Sequence, residues 1–162
     1  MAFSRTDAIG GQPITDVSTT QQHPFGYIIR AQDPTYGQGE FIYVKGVTSA
    51  AVGLVGTVNR YTGVTALGAA RGKGLVGVFM SVLDAATKYG WMQIGGAAAV
   101  QVGGTVVAGA TPYLAAAAKM DDAVVAGDIV YGASFATADG TPVANWAIVS
   151  MLGSHAGDTD NA

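Results

Sequence analysis

The sequence predicts an all-β protein: a small Gly/Ala-rich β-barrel or sandwich with an extended N-terminal arm and at most one short helix. Short valine-rich runs recur about every 8 to 12 residues, separated by turn-forming residues, which is typical of these architectures. The chain contains 24 glycines. Glu40 is its only glutamate, and other long polar helix formers are scarce, which argues against exposed amphipathic helices.

The first strand predicted for the body is FIYVKGV (41–47), whose alternation places Phe41, Tyr43 and Lys45 on one face. Later apolar runs share the length and the valine content expected of strands. They lie at 51–59, 64–67, 73–83, 91–94, 98–102, 105–109, 111–117, 123–133 and 145–152.

Turn and helix signals are fewer. Asp139-Gly140 suits a two-residue hairpin turn. Two glycine pairs, 95–96 and 103–104, close apolar runs in YGWMQIGGAAAVQVGG, and we expect each pair to begin a tight connection between strands. The helix candidates are LDAATK (83–88), of one or two turns, and the weaker AAAA (115–118).

Composition divides the chain into an extended N-terminal arm (1–35), a β-barrel body (36–153) and a flexible C-terminal tail (154–162). The arm has a polar centre, and its apolar residues occur singly before 25–29. We expect it to order on a partner; a disordered terminus is the alternative. Its predicted partner-binding anchors are Phe3, Ile9, Ile14, Phe25, Tyr27 and Ile28. Large aromatics dominate cores and interfaces alike, so core or subunit packing is predicted for Tyr89, Trp91 and Trp146.

Charge is scarce in this chain. Hydrophobic residues make up 49% and charged residues 12%, about half the usual share of charge, so part of the surface is predicted to be buried against other chains. The net charge is −3 and the basic residues are scattered, which predicts no nucleic-acid or membrane-surface partner. We also expect no membrane span and no secretory leader. The absence of cysteine excludes disulfides and thiolate sites.

One motif resembles a nucleotide-binding loop. GKGLVG (72–77) fits G-x-G-x-x-G, but a dinucleotide site needs a helix after the loop and an acidic residue about 20 positions on. The segment that follows is valine-rich and too short, and Asp84 comes too early to bind a ribose. The sequence therefore predicts no nucleotide and no other cofactor.

The remaining polar residues do not predict catalysis. His23 and His155 lie in the arm and the tail, and a general base needs a fixed position in a cleft. Asp121-Asp122 lacks the spacing of a calcium loop. We expect no catalytic residue, no metal site and no small-molecule substrate. An enzymatic alternative would need a cleft that joins a histidine to Asp84, Asp121 or Asp128.

Residues 38–152 resemble small β-rich proteins encoded in the head-gene clusters of tailed bacteriophages. The resemblance is carried by FIYVKGV, AVGLVGTVN and ARGKGLVGVFMSVLDAATKYGWMQIGGAAAVQV, followed by VAGATPYL and GDIVYGA. Proteins of this family decorate, or cement, the capsid, or form the base of a head fibre. Their motifs are patterns of small and apolar residues, so no residue with a defined role is transferred.

The resemblance implies a structural virion protein that is not an enzyme. Such a protein is made in the cytoplasm of the host bacterium and binds the outside of a mature capsid. It is expected to form a homotrimer that contacts the major capsid protein and stabilises the shell by bridging neighbouring subunits. The alternative is a head-fibre or adhesin module that binds the host cell surface.

Overall fold

A computed structural model describes residues 4–5, 11–69 and 71–157 of the chain. The described residues form an all-β fold, which confirms the predicted class; their one helical element is a 3-10 turn at Ala116–Ala118. The strands are β1 (Ser4–Arg5), β2 (Ile28–Asp33), β3 (Gly37–Lys45), β4 (Val55–Val58), β5 (Thr65–Leu67), β6 (Gly74–Phe79), β7 (Tyr89–Gln101), β8 (Tyr113–Ala115), β9 (Lys119–Asp121), β10 (Val130–Phe135) and β11 (Trp146–Ala156).

Nine of these strands form one antiparallel sheet, in the order β1-β2-β3-β7-β11-β6-β4-β5, with β10 on the outer edge of β11. β8 and β9 form a separate hairpin. The sheet curls because β6 pairs with both β7 and β11. Its residue Phe79 lies opposite Met92 of β7, and Leu75 lies opposite His155 of β11. This three-strand junction gives the sheet a barrel-like curvature.

β7 runs through the glycine pair at 95–96, so the tight connection predicted there is wrong. On one edge, β7 pairs with β3 as far as Gly95; on the other edge, it pairs first with β6 at Met92 and Gln93 and then with β11 from Gly95 to Gln101. The β3 ladder carries a bulge between Glu40 and Phe41, at the level where the partner on the opposite edge changes from β6 to β11. Gly96 has a φ of +85°, and a Cβ there would lie 2.3 Å from the carbonyl oxygen of Gln38. The second pair, 103–104, bends the chain just after β7, but the connection is not tight, because the next strand begins only at Tyr113.

The Gln93 side chain stabilises the backbone at this bend by hydrogen bonding. Its side chain is fully buried, and its Nε2 donates to the carbonyl oxygens of Gly95 and Ala97 at 3.1 and 3.0 Å. Buried carbonyls that a bulge removes from the ladder need such partners. The Oε1 of the same amide is buried with no hydrogen-bond partner.

The sheet contains part of the predicted arm. β2 pairs with β3 along its whole length, from Ile28↔Ile42 to Asp33↔Gly37. The body therefore begins before residue 28 and not at 36. At the other end, β11 continues to Ala156, so residues 154–156 form strand and not tail. Residues 158–162 lie outside the described residues.

Several local predictions also fail. Residues 105–109 form no strand, and the hydrogen-bonded turn at Asp139-Gly140 belongs to a longer loop between β10 and β11. Residues 83–88 form turns instead of a helix. The carbonyl oxygens of this segment accept hydrogen bonds from distant backbone N–H groups and not from within a helix. Val47 N–H donates to the Leu83 carbonyl and Gly46 N–H donates to the Lys88 carbonyl, both at 2.8 Å.

Three apolar clusters fill the interior. The largest packs β6, β7, β10 and β11 against the β8–β9 hairpin. A second lies between β3, β4, β6 and β7 and includes Phe79 and Met92. The third packs the N-terminal segment onto β3 and β7, around Trp91 and Tyr43. The β body is therefore continuous with residues 11–27.

Candidate interaction surfaces

Gln12 fastens the N-terminal segment to the sheet. Its Nε2 donates to the carbonyl oxygens of Asp16 and Tyr89, both at 2.8 Å, and its Oε1 accepts from the Tyr43 hydroxyl at 2.9 Å. Its carbonyl oxygen accepts from the Trp91 indole N–H at 3.0 Å. The side chain is buried, so these bonds form with little competition from water.

An aromatic cluster completes this attachment. The His23 ring stacks on Tyr27, meets Tyr43 edge-on and lies 5.3 Å from the Trp91 ring. His23 Nε2 accepts from the Gln12 backbone N–H at 3.3 Å, which requires an unprotonated nitrogen. Burial raises the pKa of the Tyr43 hydroxyl above its usual value, opposed by the backbone N–H of Gln22, which donates to it. Residues 12–27, which were predicted to belong to an arm that orders on a partner, therefore pack on the sheet of their own chain.

The predicted arm anchors divide into three groups. Phe3 and Ile9 lie outside the described residues. Ile14 is buried in the third cluster, and Phe25 packs partly buried against the same cluster. Tyr27 and Ile28 are exposed, at 38% and 40%, and are therefore available to a partner.

The three aromatics predicted to pack do so in different ways. Trp91 is a fully buried core residue. Tyr89 is half-buried and pairs through its backbone with Ser18 of the N-terminal segment, at 3.0 and 2.8 Å. Trp146 is half-buried at the start of β11, and its ring lies directly against the backbone of Gly53.

Trp146 also lines an open apolar pocket of about 250 Å³, which we call the Trp146 pocket. Its lining is Tyr36, Val52, Ala99, Pro142, Val143 and Trp146. On the same strand, Leu152 is 88% exposed. Sequence reasoning missed this residue, although the alternation in NWAIVSML places it on the side of β11 that carries Trp146.

Two neighbouring loops expose a second apolar surface, the valine loops (107–109 and 123–126). Val124 is 82% exposed and Val107 62%. The backbone N–H of Val107 donates to Asp122 Oδ2 at 3.0 Å, which joins the two loops. The two loops therefore expose apolar side chains close to a shared polar contact at Asp122.

Two of the three candidate catalytic aspartates, Asp84 and Asp128, have structural partners, while Asp121 has one buried carboxylate oxygen without a hydrogen bond. Asp84 forms an ion pair with Lys88 at 2.6 Å, and hydrogen bonding to Lys88 lowers the Asp84 pKa. Asp128 is buried and accepts from the Arg71 backbone N–H at 2.6 Å. Burial raises the pKa of Asp121, and the nearby carboxylates of Asp122 and Asp128 raise it further.

Neither histidine joins these acids in a cleft described by the structure. His155 stacks on Tyr131 across β10 and β11, and His23 belongs to the aromatic cluster. Within residues 11–69 and 71–157, no group of three or more histidine or acidic side chains could hold a metal ion. The glycine motif at 72–77 leads into β6, where Gly77 pairs with Gly56 of β4, and no helix follows it.

Comparison with known protein families, with curated proteins and with solved structures finds no match to this chain. Among the described residues, no helix is long and apolar enough to cross a membrane. The fold and its surfaces define an all-β protein that exposes several large aliphatic side chains.

Proposed function

We propose that this chain is a structural virion protein that binds the outside of a mature tailed-phage capsid and bridges neighbouring subunits of the major capsid protein. In this role it acts as a homotrimer and performs no catalysis. The capsid and the trimer come from the family resemblance of residues 38–152. The structure contributes independent support for an assembly role.

The observation that carries the proposal is the exposure of large aliphatic side chains on a β body with few charges. Leu152 and Val124 are 88% and 82% exposed, in a chain with 12% charged residues. Covering such side chains by partners is favourable at about 25 cal/mol per Å² of apolar area. A protein that works as one subunit of a shell gains this free energy on assembly.

Stabilisation of the shell follows from selective binding. A protein that binds the expanded capsid, and not its precursor or its separated subunits, shifts the equilibrium toward the expanded form by mass action. Several weak contacts suffice, because an oligomer linked to neighbouring capsid subunits gains from effective concentration. The exposed Tyr27 and Ile28 are the described side chains that we assign to the capsid contact, together with the predicted anchors Phe3 and Ile9.

The test is co-sedimentation with purified expanded heads that lack this protein. The full chain is compared with a variant lacking residues 1–10, which removes the two-residue β1 but keeps β2 and the Gln12 hydrogen bonds that deletion of all of 1–35 would remove. We expect the full chain to pellet with the heads and to raise their melting temperature, and the truncation to bind more weakly. A stably folded full chain that never pellets with heads would contradict capsid binding.

One observation favours the alternative of a head-fibre or adhesin module. Tyr61 is 92% exposed at the tip of the β4–β5 hairpin, where the Asn59 side chain orders the turn by accepting from the Tyr61 and Thr62 N–H groups. An exposed tyrosine on a fixed loop suits recognition of a cell-surface ligand. If the chain is such a module, the full chain should bind host cells and Tyr61→Ala should abolish that binding. If the chain instead binds the capsid, the same substitution should leave binding to heads unchanged.

A further inference from the structure

The Trp146 pocket has the size and chemistry of a site for a side chain. Its volume of about 250 Å³ lies below the roughly 300–1,000 Å³ of typical small-molecule sites. None of the side chains that line it is charged. It therefore fits one or two aliphatic side chains and offers little to a polar or charged ligand.

The chain itself presents a side chain of this kind. Leu152 is 88% exposed and lies next to the exposed Ser150 on the side of β11 that also carries Trp146, although Ile148 on that side is buried, as are Ala147, Val149 and Met151 on the opposite side. Because strands rise about 3.3 Å per residue, Leu152 and Trp146 lie roughly 20 Å apart. Leu152 therefore cannot reach the pocket of its own chain, but it is rigidly placed to enter another.

We propose that this protein self-associates through β11, with Leu152 of one copy seated in the Trp146 pocket of a second copy. The inference rests on the proposed function in one respect, the assembly of several copies. It adds the contact that joins them. Burying a leucine side chain in an apolar pocket is the main source of its affinity.

Charge favours Leu152 over the other strongly exposed aliphatic residue, Val124. The valine loops border Asp121 and Asp122, and seating Val124 in a pocket would bring these carboxylates into an apolar contact at a desolvation cost. Around Leu152 the sheet is nearly neutral. Leu152 lies opposite Gly95 of β7, and Gly95 lies opposite Glu40 of β3. The Glu40 carboxylate forms an ion pair with Arg30 at 2.8 Å.

The size of the contact sets the strength of association. The face between Leu152 and Trp146 is roughly 20 Å long and, across three strands about 4.8 Å apart, roughly 10–15 Å wide. This footprint is smaller than the roughly 800 Å² per partner of stable complexes. We therefore expect reversible, concentration-dependent association, strengthened where several copies close a ring.

Cysteine cross-linking tests the contact directly, because the chain has no native cysteine. Val143, at the pocket, is 57% exposed, so the double variant Val143→Cys/Leu152→Cys carries one thiol on each side of the proposed contact. Under mild oxidation we expect disulfides between residues 143 and 152 of different copies, identified by peptide mapping of mixed isotope-labelled and unlabelled chains. The control pair Val143→Cys/Val124→Cys should yield far less product.

The cross-linked species also separate this inference from the proposed function. Covalent trimers support both, while cross-linking that stops at dimers after complete oxidation supports the contact and contradicts the trimer. An oligomer that forms no 143–152 cross-link overturns the Leu152 contact and leaves the trimer intact. A chain that stays monomeric at all concentrations and forms no cross-link overturns both the contact and the trimer.

Sedimentation of single variants provides the second measurement. Leu152→Ser should weaken self-association about tenfold or more, the loss expected for one buried aliphatic side chain. The matched control Val124→Ser also changes an exposed aliphatic residue and should leave association unchanged. Equal effects of the two substitutions, with both variants folded, would contradict the assignment of Leu152.

Discussion

Replacing Gln12 by alanine should destabilise the whole β body, although residue 12 lies in a region whose composition resembles a loose arm. The substitution removes three side-chain hydrogen bonds of 2.8–2.9 Å, to Asp16, Tyr89 and Tyr43. It also deprives the buried Tyr43 hydroxyl of its acceptor. Each bond contributes about 0.5–1.5 kcal/mol net, so we expect a loss of about 2–4 kcal/mol.

That loss is large against the roughly 5–15 kcal/mol that stabilises a typical domain. For a chain of this size it corresponds to a fall in melting temperature of roughly 4–16 °C. The assay is equilibrium unfolding in urea, followed by tryptophan fluorescence, since Trp91 donates to the Gln12 carbonyl and reports on this region. Gln22→Ala is the matched control, because the Gln22 side chain is exposed and makes only long contacts of 3.4 Å. Its effect should stay within about 0.5 kcal/mol.

A double-mutant cycle with Tyr43→Phe tests the assignment to this network. Each single substitution leaves one member of the Tyr43–Gln12 pair without its partner, so the double variant should lose less than the sum, by about 0.5–3 kcal/mol. The raised pKa of Tyr43 adds a pH signature. The folded state retains the Tyr43 proton to a higher pH than the unfolded state does. The free energy of unfolding should therefore fall as pH rises above 10.0, and Tyr43→Phe should remove that fall. A Gln12→Ala variant as stable as Gln22→Ala, or strict additivity in the cycle, would refute the reasoning.

Three further substitutions probe the sheet and its charges. Gly96→Ala should lower the free energy of unfolding in urea by more than about 3 kcal/mol, because its Cβ would lie 2.3 Å from the Gln38 carbonyl oxygen. The control Gly153→Ala, also at positive φ but with open space around the Cβ, should lower it by only about 1 kcal/mol. Gln93→Glu should lose about 3 kcal/mol or more at neutral pH, because it buries a carboxylate facing two carbonyls, with much of the loss recovered in acid. Asp121→Asn should abolish the decline in stability expected as pH rises above 3.8, since a raised pKa lets the folded state retain a proton that the unfolded state releases.

Hydrophobic patterning predicted the fold class well because the pattern of a strand can be recognised in a few consecutive residues. FIYVKGV lies largely in β3, although both faces of that strand are buried and not one alone, and NWAIVSML begins β11. It failed at 105–109, where Val106 is buried but the backbone finds no partner strand. An apolar run specifies which side chains are buried, and only the tertiary fold determines whether a neighbouring strand is available.

The glycine pair at 95–96 shows a second limit. Glycines are equally compatible with a tight turn and with a strand that changes partners, and the choice depends on the bulge beside Glu40, far away in sequence. Gln12 was missed for a similar reason, because its partner Tyr89 is 77 residues away. Leu152 was within reach of sequence reasoning, since strand alternation already places it on the side of β11 that carries Trp146.

The position of residues 11–33 changes how the proposed bridging has to work. An arm of 35 residues could span on the order of 110 Å, enough to cross several capsid subunits. Residues 28–33 are a strand of the sheet, β1 (Ser4–Arg5) pairs with that strand, and residues 12–27 are held by Gln12 and the aromatic cluster, so none of these segments is free to span such a distance. Bridging over larger distances then requires the breadth of the assembled oligomer. The contact between copies is therefore as important to the proposed function as the contact with the capsid.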